Sequence, residues 1–229
     1  MAKVEASGLV LALEQVWTAV RRHHSEVPAV VVTLGAGSVG VPRGVLKLGH
    51  FAADRWTSAG ADSSAVAELF VGGEGLARGP ESVLATLLHE AAHGLADARR
   101  IQDTSRQGRY HNTRYKALAE ELGLHVTQLT DIGWSGTVLA DNTAARYAEE
   151  LAQLACAITA YRYAEGTLTS PGAGKGGGKA GSGGGGAAGG SSPKNGLVLA
   201  CECPRRIRAS TTVVSAGPIL CGVCNSEFK

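Results

Sequence analysis

No uninterrupted apolar run in this sequence approaches the roughly 20 residues that a helix needs to cross a membrane. The first residues, Met1 to Glu5, also lack the apolar segment behind a basic start that marks an export signal. These absences predict a protein with no membrane partner and a cytoplasmic location. Cysteine is scarce as well, because the chain has 5 in 229 residues, and four of them lie after residue 200.

Glycine is abundant, with 32 residues, and it is concentrated with alanine, serine and lysine between Pro171 and Pro193. This composition is typical of a flexible linker. We therefore predict three parts: a domain over 1–168, a linker over 169–195 and a small module over 196–229. The first part is long enough for one hydrophobic core, whereas the last part is too short to fold without a staple such as a metal ion.

The most informative motif is the HExxH sequence at 89–93. Residues i and i+4 lie on one face of a helix, so His89 and His93 can direct two imidazole nitrogens at one metal ion. Glu90 projects at a neighbouring angle and can reach a water bound to that metal. This is the minimal geometry for metal-assisted hydrolysis with a carboxylate general base. The alternative is a pair of solvated histidines on an amphipathic helix.

The helix that carries this motif is strongly predicted. Pro80 and Glu81 suit its first turn, where proline loses no hydrogen bond and an acid interacts favourably with the helix dipole. Apolar residues recur at helical spacing and predict a buried stripe, which consists of Val83, Leu84, Leu87, Leu88, Ala91 and Leu95. A helix at the centre of the core favours the metal-site interpretation.

A catalytic zinc site usually has three protein ligands and one open position for water. The third ligand of the metzincin peptidases is excluded, because the chain has Ala96 and Arg99 where that pattern needs glycine and histidine. His111 is the strongest candidate, since it follows a polar loop and precedes a second helical stretch over 113–122. The weaker candidates are Glu120, Glu121 and His125.

Asp97 is the candidate for a residue that orients a metal ligand. It lies four residues after His93 and shares its helical face. Metal-bound histidines usually donate their second N–H to a carboxylate or a carbonyl. The alternative is a surface aspartate that pairs with Arg99 or Arg100, and the sequence leaves both interpretations open.

The C-terminal cysteines form two close pairs that are separated by seventeen residues. Such spacing predicts a structural zinc site with four thiolate ligands, which are Cys201, Cys203, Cys221 and Cys224. Two disulfides are the rival interpretation, but they require an oxidising compartment. The fifth cysteine, Cys156, lies in an alanine- and leucine-rich helical segment and is predicted to be a buried apolar residue.

Positive charge is concentrated at the C-terminal end. Residues 175–229 carry a formal charge of +5, whereas the whole chain carries +2. Arg205, Arg206 and Arg208 form a basic cluster beside the first cysteine pair. These arginines are candidates for contacts with nucleic-acid phosphates, although they equally fit a solvated face.

The fold class predicted for the first domain is α+β. Helices are expected over 5–24, over the two ligand-bearing segments and from an N-cap at Asn142 through Tyr163. Trp134 is predicted to anchor the core or a loop. Strands are predicted over 27–33, 45–51 and 66–71, and in the C-terminal module over 197–199 and 211–214.

Residues 87–124 resemble the active-site core of the SprT-like zinc metallopeptidases, the group that includes Spartan-type proteases. The resemblance covers roughly residues 5–165 and is specific only over 83–124. It implies a zincin-like domain in which His89, His93 and His111 bind a catalytic zinc and Glu90 is the general base. Proteins of this group often carry a zinc ribbon after the protease domain, although the first cysteine pair here is C-x-C and not C-x-x-C.

The leading hypothesis is a zinc-dependent endopeptidase with one catalytic and one structural Zn²⁺, acting on a protein substrate. The resemblance implies DNA-associated proteins as substrates and the ribbon as a targeting module. One alternative is a nucleic-acid- or protein-binding module whose HExxH site is inactive. Another is a regulatory peptidase of a mobile element that cleaves a repressor, which shares the chemistry and differs in substrate.

Overall fold

A computed structural model describes residues 5–42, 44–59, 63–165 and 197–229. The chain divides into two compact units, Met1–Ala173 and Gly174–Lys229. The predicted linker over 169–195 lies outside the described residues. No helix in the described part of the chain is long and apolar enough to cross a membrane.

The first unit is a mixed α+β structure, as the sequence predicted. Its helices are α1 (Ala6–His23), α2 (Pro80–Ala98), α3 (Thr113–Glu121), α4 (Thr143–Arg146) and α5 (Ala148–Ala157), with a 3-10 turn at Gly73–Arg78. Its strands are β1 (Val30–Gly35), β2 (Gly49–Thr57), β3 (Ala65–Gly72), β4 (Thr104–Ser105), β5 (Tyr110–His111), β6 (Leu124–Leu129) and β7 (Gly133–Leu139).

The first sheet has the strand order β1-β3-β2. Strand β1 pairs with β3 in parallel, with Val32 opposite Leu69, and β2 pairs with β3 in antiparallel fashion, with Phe51 opposite Leu69. All three strands were predicted from the sequence, with shifts of a few residues at their ends. Strand β2 pairs with no second strand among the described residues, so it forms one edge of this sheet, and its Phe51 backbone N–H donates to the Glu90 carboxylate of α2.

The second sheet has the order β4-β5-β7-β6 and was not predicted. Strands β6 and β7 form a hairpin, while β5 meets β7 through a single parallel pairing of His111 with Gly133. Gly133 has a positive φ of 71°, and a Cβ at this position would lie 2.1 Å from the His111 carbonyl oxygen. Only glycine therefore allows β7 to lie so close to His111.

The core lies around α2, whose apolar residues pack against α1, the first sheet and α3. The predicted stripe is confirmed, because Val83, Leu84, Leu87, Leu88, Ala91 and Leu95 are all at most 3% exposed. Burying a side chain of this size stabilises the fold by about 1.5–3 kcal/mol. The motif helix is therefore held rigidly on its apolar side, which fixes the direction of its polar residues.

The prediction of one long helix over 142–163 is wrong. Two short helices, α4 and α5, replace it, and the second ends at Ala157. The chain then returns to the 3-10 turn, where the Arg162 backbone N–H donates to the Gly73 carbonyl at 3.1 Å. The Arg162 guanidinium also pairs with Glu74 at 2.8 Å. These long-range contacts override the local preference for helix.

The second unit contains a two-stranded antiparallel sheet of β8 (Leu197–Ala200) and β9 (Arg206–Ala209), followed by α6 (Thr211–Ala216). The first predicted strand is confirmed. The predicted strand over 211–214 is wrong, because these residues form α6. Ser210 caps this helix by accepting a hydrogen bond from the Val213 backbone N–H at 3.3 Å, which favours helix over the β-branched preference of the sequence.

Candidate metal centre and cleft

Three histidines come together beside α2. His89 and His93 lie one helical turn apart on α2, and His111 ends β5 just before α3. One nitrogen from each ring lies within 4.8 Å of the other two, so the group could hold a metal ion. Glu121, a rival third ligand, is instead paired with Arg99 at 2.8 Å, and the exposed His125 lies outside this group.

Contacts at the Nδ1 atoms orient the three histidine rings. Each Nδ1 lies within hydrogen-bond distance of an oxygen: His89 with Thr137 Oγ1 (3.3 Å), His93 with Asp103 Oδ2 (2.5 Å) and His111 with the Ile132 carbonyl (3.1 Å). An Nδ1–H donated in this way leaves Nε2 with a free lone pair. All three histidines are therefore prepared to bind through Nε2.

The spacing of the inner nitrogens fits a zinc ion. Nε2 of His93 and Nε2 of His111 lie 3.1 Å apart. Two nitrogens at about 2.0 Å from a tetrahedral zinc would be separated by about 3.3 Å. Two lone pairs at this distance repel each other unless a proton or a cation lies between them. The donor set and its spacing thus agree with a metal site.

Tyr115 of α3 packs against all three histidine rings. It is fully buried, and its ring centroid lies 4.9, 4.8 and 4.4 Å from those of His89, His93 and His111. Burial raises the pKa of its hydroxyl, so this group stays neutral. Asn112 caps α3 by accepting hydrogen bonds from the backbone N–H groups of residues 114 and 115, which holds the tyrosine in place.

Glu90 lies beside the triad and is only 6% exposed. Its Oε2 accepts a hydrogen bond from the Phe51 backbone N–H on β2 at 2.9 Å, which leaves Oε1 available. Gly49 makes room for this carboxylate, because a Cβ there would lie 2.6 Å from Oε1 and 2.8 Å from Thr86 Cγ2. The start of β2 and the motif helix therefore fix the carboxylate together.

The electrostatics favour neutral histidines at two of the three positions. Burial lowers the pKa of His89 well below its ordinary value, and burial with the nearby His93 lowers the pKa of His111. Burial acts most strongly against a charged His93, but its hydrogen bond with Asp103 and the negative charges of Glu90 and Asp103 together outweigh burial and raise its pKa. Burial raises the pKa of Glu90, which brings it closer to the range of a general base.

A cleft passes over the triad. It consists of two cavities of about 660 and 490 Å³, both lined by Gly49, His89, Glu90 and His111. The larger cavity extends between the segment before β2 and strand β7, and the smaller one extends towards the loop that carries Asp103. Substrate-sized ligands could therefore contact all the candidate chemical groups at once.

The prediction that Asp97 orients a metal ligand is corrected by the structure. Asp97 is exposed near the end of α2, and Asp103 contacts His93 in its place. The loop after α2 folds back and places Asp103 next to the Nδ1 atom of His93. The loop is fixed there because the Asn112 backbone N–H donates to the Asp103 carbonyl at 2.9 Å.

Several residues around the site were not found from the sequence. Asp103 lies in a loop without periodicity, and Thr137 belongs to a strand that was not predicted. Tyr115 was part of the family resemblance, but no role was assigned to it. A signal existed for the tyrosine, because it lies four residues after the candidate third ligand on the same helical segment. Trp134 is half-buried against the core, as predicted, with Lys116 Nζ 4.4 Å from its ring centroid.

The four C-terminal cysteines form a second group that could hold a metal ion. Their sulfur atoms all lie within 4.8 Å of one another, and no disulfide joins them. The Sγ separation of 3.7 Å between Cys203 and Cys221 is close to the roughly 3.8 Å expected for two thiolates on one tetrahedral zinc. Hydrogen bonds from Ser226 lower the pKa of Cys224 to about 5, whereas hydrogen bonds with the sulfurs of Cys201 and Cys224 raise the pKa of Cys203 to about 12.

The remaining predicted residues lie at the surface. Arg205 precedes β9, while Arg206 and Arg208 lie on one face of that strand, and all three are exposed. The prediction that Cys156 is buried is wrong, because it lies on the exposed side of α5. The buried residues of this short helix are Glu150 and Leu154.

Comparisons of the chain with protein-family models, with curated proteins and with solved structures give no match. The interpretation of the two metal sites therefore depends on the geometry described above.

Proposed function

We propose that this protein is a zinc-dependent endopeptidase. The observation that carries the proposal is the convergence of three histidine Nε2 atoms, each fixed through Nδ1, beside the carboxylate of Glu90. A site with a purely structural metal has no use for a buried carboxylate at this position. The cleft that passes over these residues is open to an extended polypeptide.

His89, His93 and His111 would hold the zinc ion and leave one position open. A zinc ion bound there would lower the pKa of water and polarise a peptide carbonyl. Glu90 would accept the proton of the attacking water at Oε1 and deliver it to the leaving amine nitrogen. Phe51 would keep the carboxylate in this orientation through its backbone N–H, and Tyr115 would keep the three rings in place.

The proposed fold of the catalytic unit is zincin-like, in agreement with the resemblance to SprT-like peptidases. Two features support this proposal: the HExxH helix packs on a small sheet, and the third histidine directly precedes the next helix. Strand β2 is an edge strand among the described residues, and its first residue, Gly49, lines both cavities, while the Phe51 N–H already donates to Glu90. An extended peptide could pair with this edge and lie across the triad.

The proposal assigns a structural zinc ion to the four cysteines of the second unit. It also assigns DNA-associated proteins as the substrate class, with Arg206 and Arg208 as phosphate contacts. The support is the exposure of both arginines on one strand face, the positive charge of this part of the chain and the resemblance.

Glu90→Gln tests the proposal. The amide preserves the size of the side chain and removes the proton acceptor, so we expect retained fold and metal content with at least a hundredfold loss of cleavage. Zinc-loaded protein would be assayed with casein and with DNA-bound proteins, with and without duplex DNA. Glu14→Gln, which changes an exposed carboxylate of α1 that lines neither cavity, is the matched control. Undiminished cleavage by pure Glu90→Gln protein would refute the mechanism.

A further inference from the structure

Both cavities of the cleft are lined by polar and apolar residues. The 490 Å³ cavity combines Asp97 and Asp103 with Phe51 and Ile101. The 660 Å³ cavity has an apolar rim, where Leu46, Ile132 and Val138 are 41%, 44% and 60% exposed. Large apolar side chains exposed together beside a cleft mark a surface that binds an apolar partner.

Ser135 adds a polar group to the wall of the larger cavity. Its Oγ is buried and has no hydrogen-bond partner in the described structure. Ser135 and Thr137 both line this cavity, and Thr137 contacts His89. The other buried side-chain atoms without a partner among the described residues belong to His24, Thr33 and Tyr147, and none of these lines the cleft. An unpaired buried hydroxyl is costly, so its position beside the triad suits a ligand contact.

We propose that the larger cavity is the specificity subsite of the enzyme and that it takes a large apolar side chain next to the scissile bond. Leu46 on one side and Ile132 with Val138 on the other would enclose this side chain. Ser135 Oγ would bind a backbone carbonyl or N–H of the same peptide segment. This inference rests on the proposed peptidase function and names its substrate class.

The same cavity also contains charged groups, and these define the competing outcome. Lys47 and Arg78 line it together with Glu81. If the two basic residues dominated, the subsite would prefer an acidic side chain. Ile132 lies beside the triad, because it directly precedes β7 and its carbonyl contacts His111, so an apolar side chain occurs where a peptide would cross His89 and His111.

A binding assay separates this inference from the peptidase activity. Three fluorescein-labelled peptides differ only in a central Leu-Leu, Ser-Ser or Asp-Asp pair, and fluorescence anisotropy measures their affinity for the full chain. The Glu90→Gln background prevents cleavage, and both zinc-loaded and metal-free protein are used. We expect the leucine peptide to bind about tenfold more tightly than the serine peptide. Equal affinities, no measurable binding of any peptide, or tightest binding of the aspartate peptide would overturn the proposal.

Substitutions in the larger cavity test which residues produce the preference for the leucine peptide. Val138→Asp should reduce the preference for leucine to less than about twofold, whereas Val39→Asp should keep it. Val39 is the matched control, because it is 61% exposed and lines neither cavity of the cleft. Ser135→Ala should weaken all three peptides by about fivefold without lowering the melting temperature, since it removes a contact with the peptide and no hydrogen bond within the described protein. Selectivity that survives Val138→Asp would show that the subsite lies elsewhere.

Cleavage of a proteome-derived peptide library by the wild-type chain gives the second measurement. Leucine, isoleucine, methionine or phenylalanine should be enriched at one position adjacent to the cleaved bond. Selective binding by a chain that cleaves nothing would retain the subsite and reject the peptidase proposal. Cleavage without a side-chain preference would retain the peptidase and reject the subsite.

Discussion

Asp103 Oδ2 lies 2.5 Å from His93 Nδ1, and this contact joins the loop after α2 to the metal-binding face of that helix. Both side chains are largely buried, with 14% and 19% exposure. The carboxylate fixes the ring, selects the tautomer that presents Nε2 and increases the basicity of that nitrogen. Asp103 therefore has the role that the sequence suggested for Asp97.

Asp103→Asn should weaken metal binding at the triad by about 10- to 100-fold, because the amide cannot provide the same charge to His93. Asp97→Asn is the matched control and should leave the affinity unchanged. Competition of each variant with a chromophoric zinc chelator measures the difference. Equal affinities for the two variants would remove Asp103 from the site.

His111→Ala should leave the chain with one tightly bound metal ion in place of two. Three ligands are the usual complement of a catalytic zinc site, and two histidines alone hold the ion weakly. Native mass spectrometry of zinc-loaded protein gives the count directly. His125→Ala, which changes an exposed histidine of β6, should retain two ions. A wild-type chain that never binds more than one ion would contradict the assignment of the triad.

Gly49→Ala should reduce the rate of cleavage while the metal content stays the same. The added Cβ would lie 2.6 Å from Glu90 Oε1, so the carboxylate must move away from its position beside the triad. A displacement of this kind typically costs 10- to 100-fold in kcat. Gly8→Ala is the control, since nothing lies within 4 Å of its added Cβ. Unchanged kcat in Gly49→Ala would show that the position of Glu90 is not critical.

Glu74 should make a pH-dependent contribution to stability. Burial alone would raise its pKa, but hydrogen bonds from Ser38 and Gly37 and the pairing with Arg162 outweigh burial and lower the pKa to about 2. Because the folded-state pKa lies below the ordinary 4.5, this contribution is complete above pH 4.5 and is lost as the pH falls towards 2.

Glu74→Gln should therefore cost about 2 kcal/mol at pH 7, and the difference from wild type should shrink between pH 5 and pH 3. Urea unfolding followed by tryptophan fluorescence reports on the first unit, because all three tryptophans belong to it. Glu14→Gln, which changes an exposed carboxylate of α1, should show no such trend. A difference that is constant with pH would mean that the charge of Glu74 does not stabilise the fold.

The local pattern of the sequence was sufficient to predict the motif helix and the residues on its two faces. The apolar stripe of α2 is buried as the helical periodicity predicted, and His89, Glu90 and His93 follow from that geometry. His111 was also predicted correctly as part of the same cluster, because the polar loop before α3 has enough residues to return to α2. Periodicity and loop length therefore suffice where each contact is local or nearly so.

The residues that the sequence did not reveal depend on long-range contacts. Thr137 reaches His89 only because the hairpin of β6 and β7 packs beside α2. Asp103 reaches His93 because a loop without periodicity folds back. Arg162 ends the predicted long helix by binding to the 3-10 turn, about 90 positions earlier in the chain. No pattern within a short window carries such information.

Strand β7 and the loop before it provide two of the three oxygens that orient the histidines. Thr137 contacts His89, and the Ile132 carbonyl contacts His111. Gly133 allows β7 to lie close to the His111 backbone. A slip of one residue in the β6–β7 register would turn Thr137 to the opposite face of the sheet. An ion that binds the triad would therefore also favour the hairpin in its correct register. Its binding free energy would add to the free energy required for local unfolding of β7. Amide hydrogen exchange in β7 would slow on metal loading, far more than in the helices that are already buried.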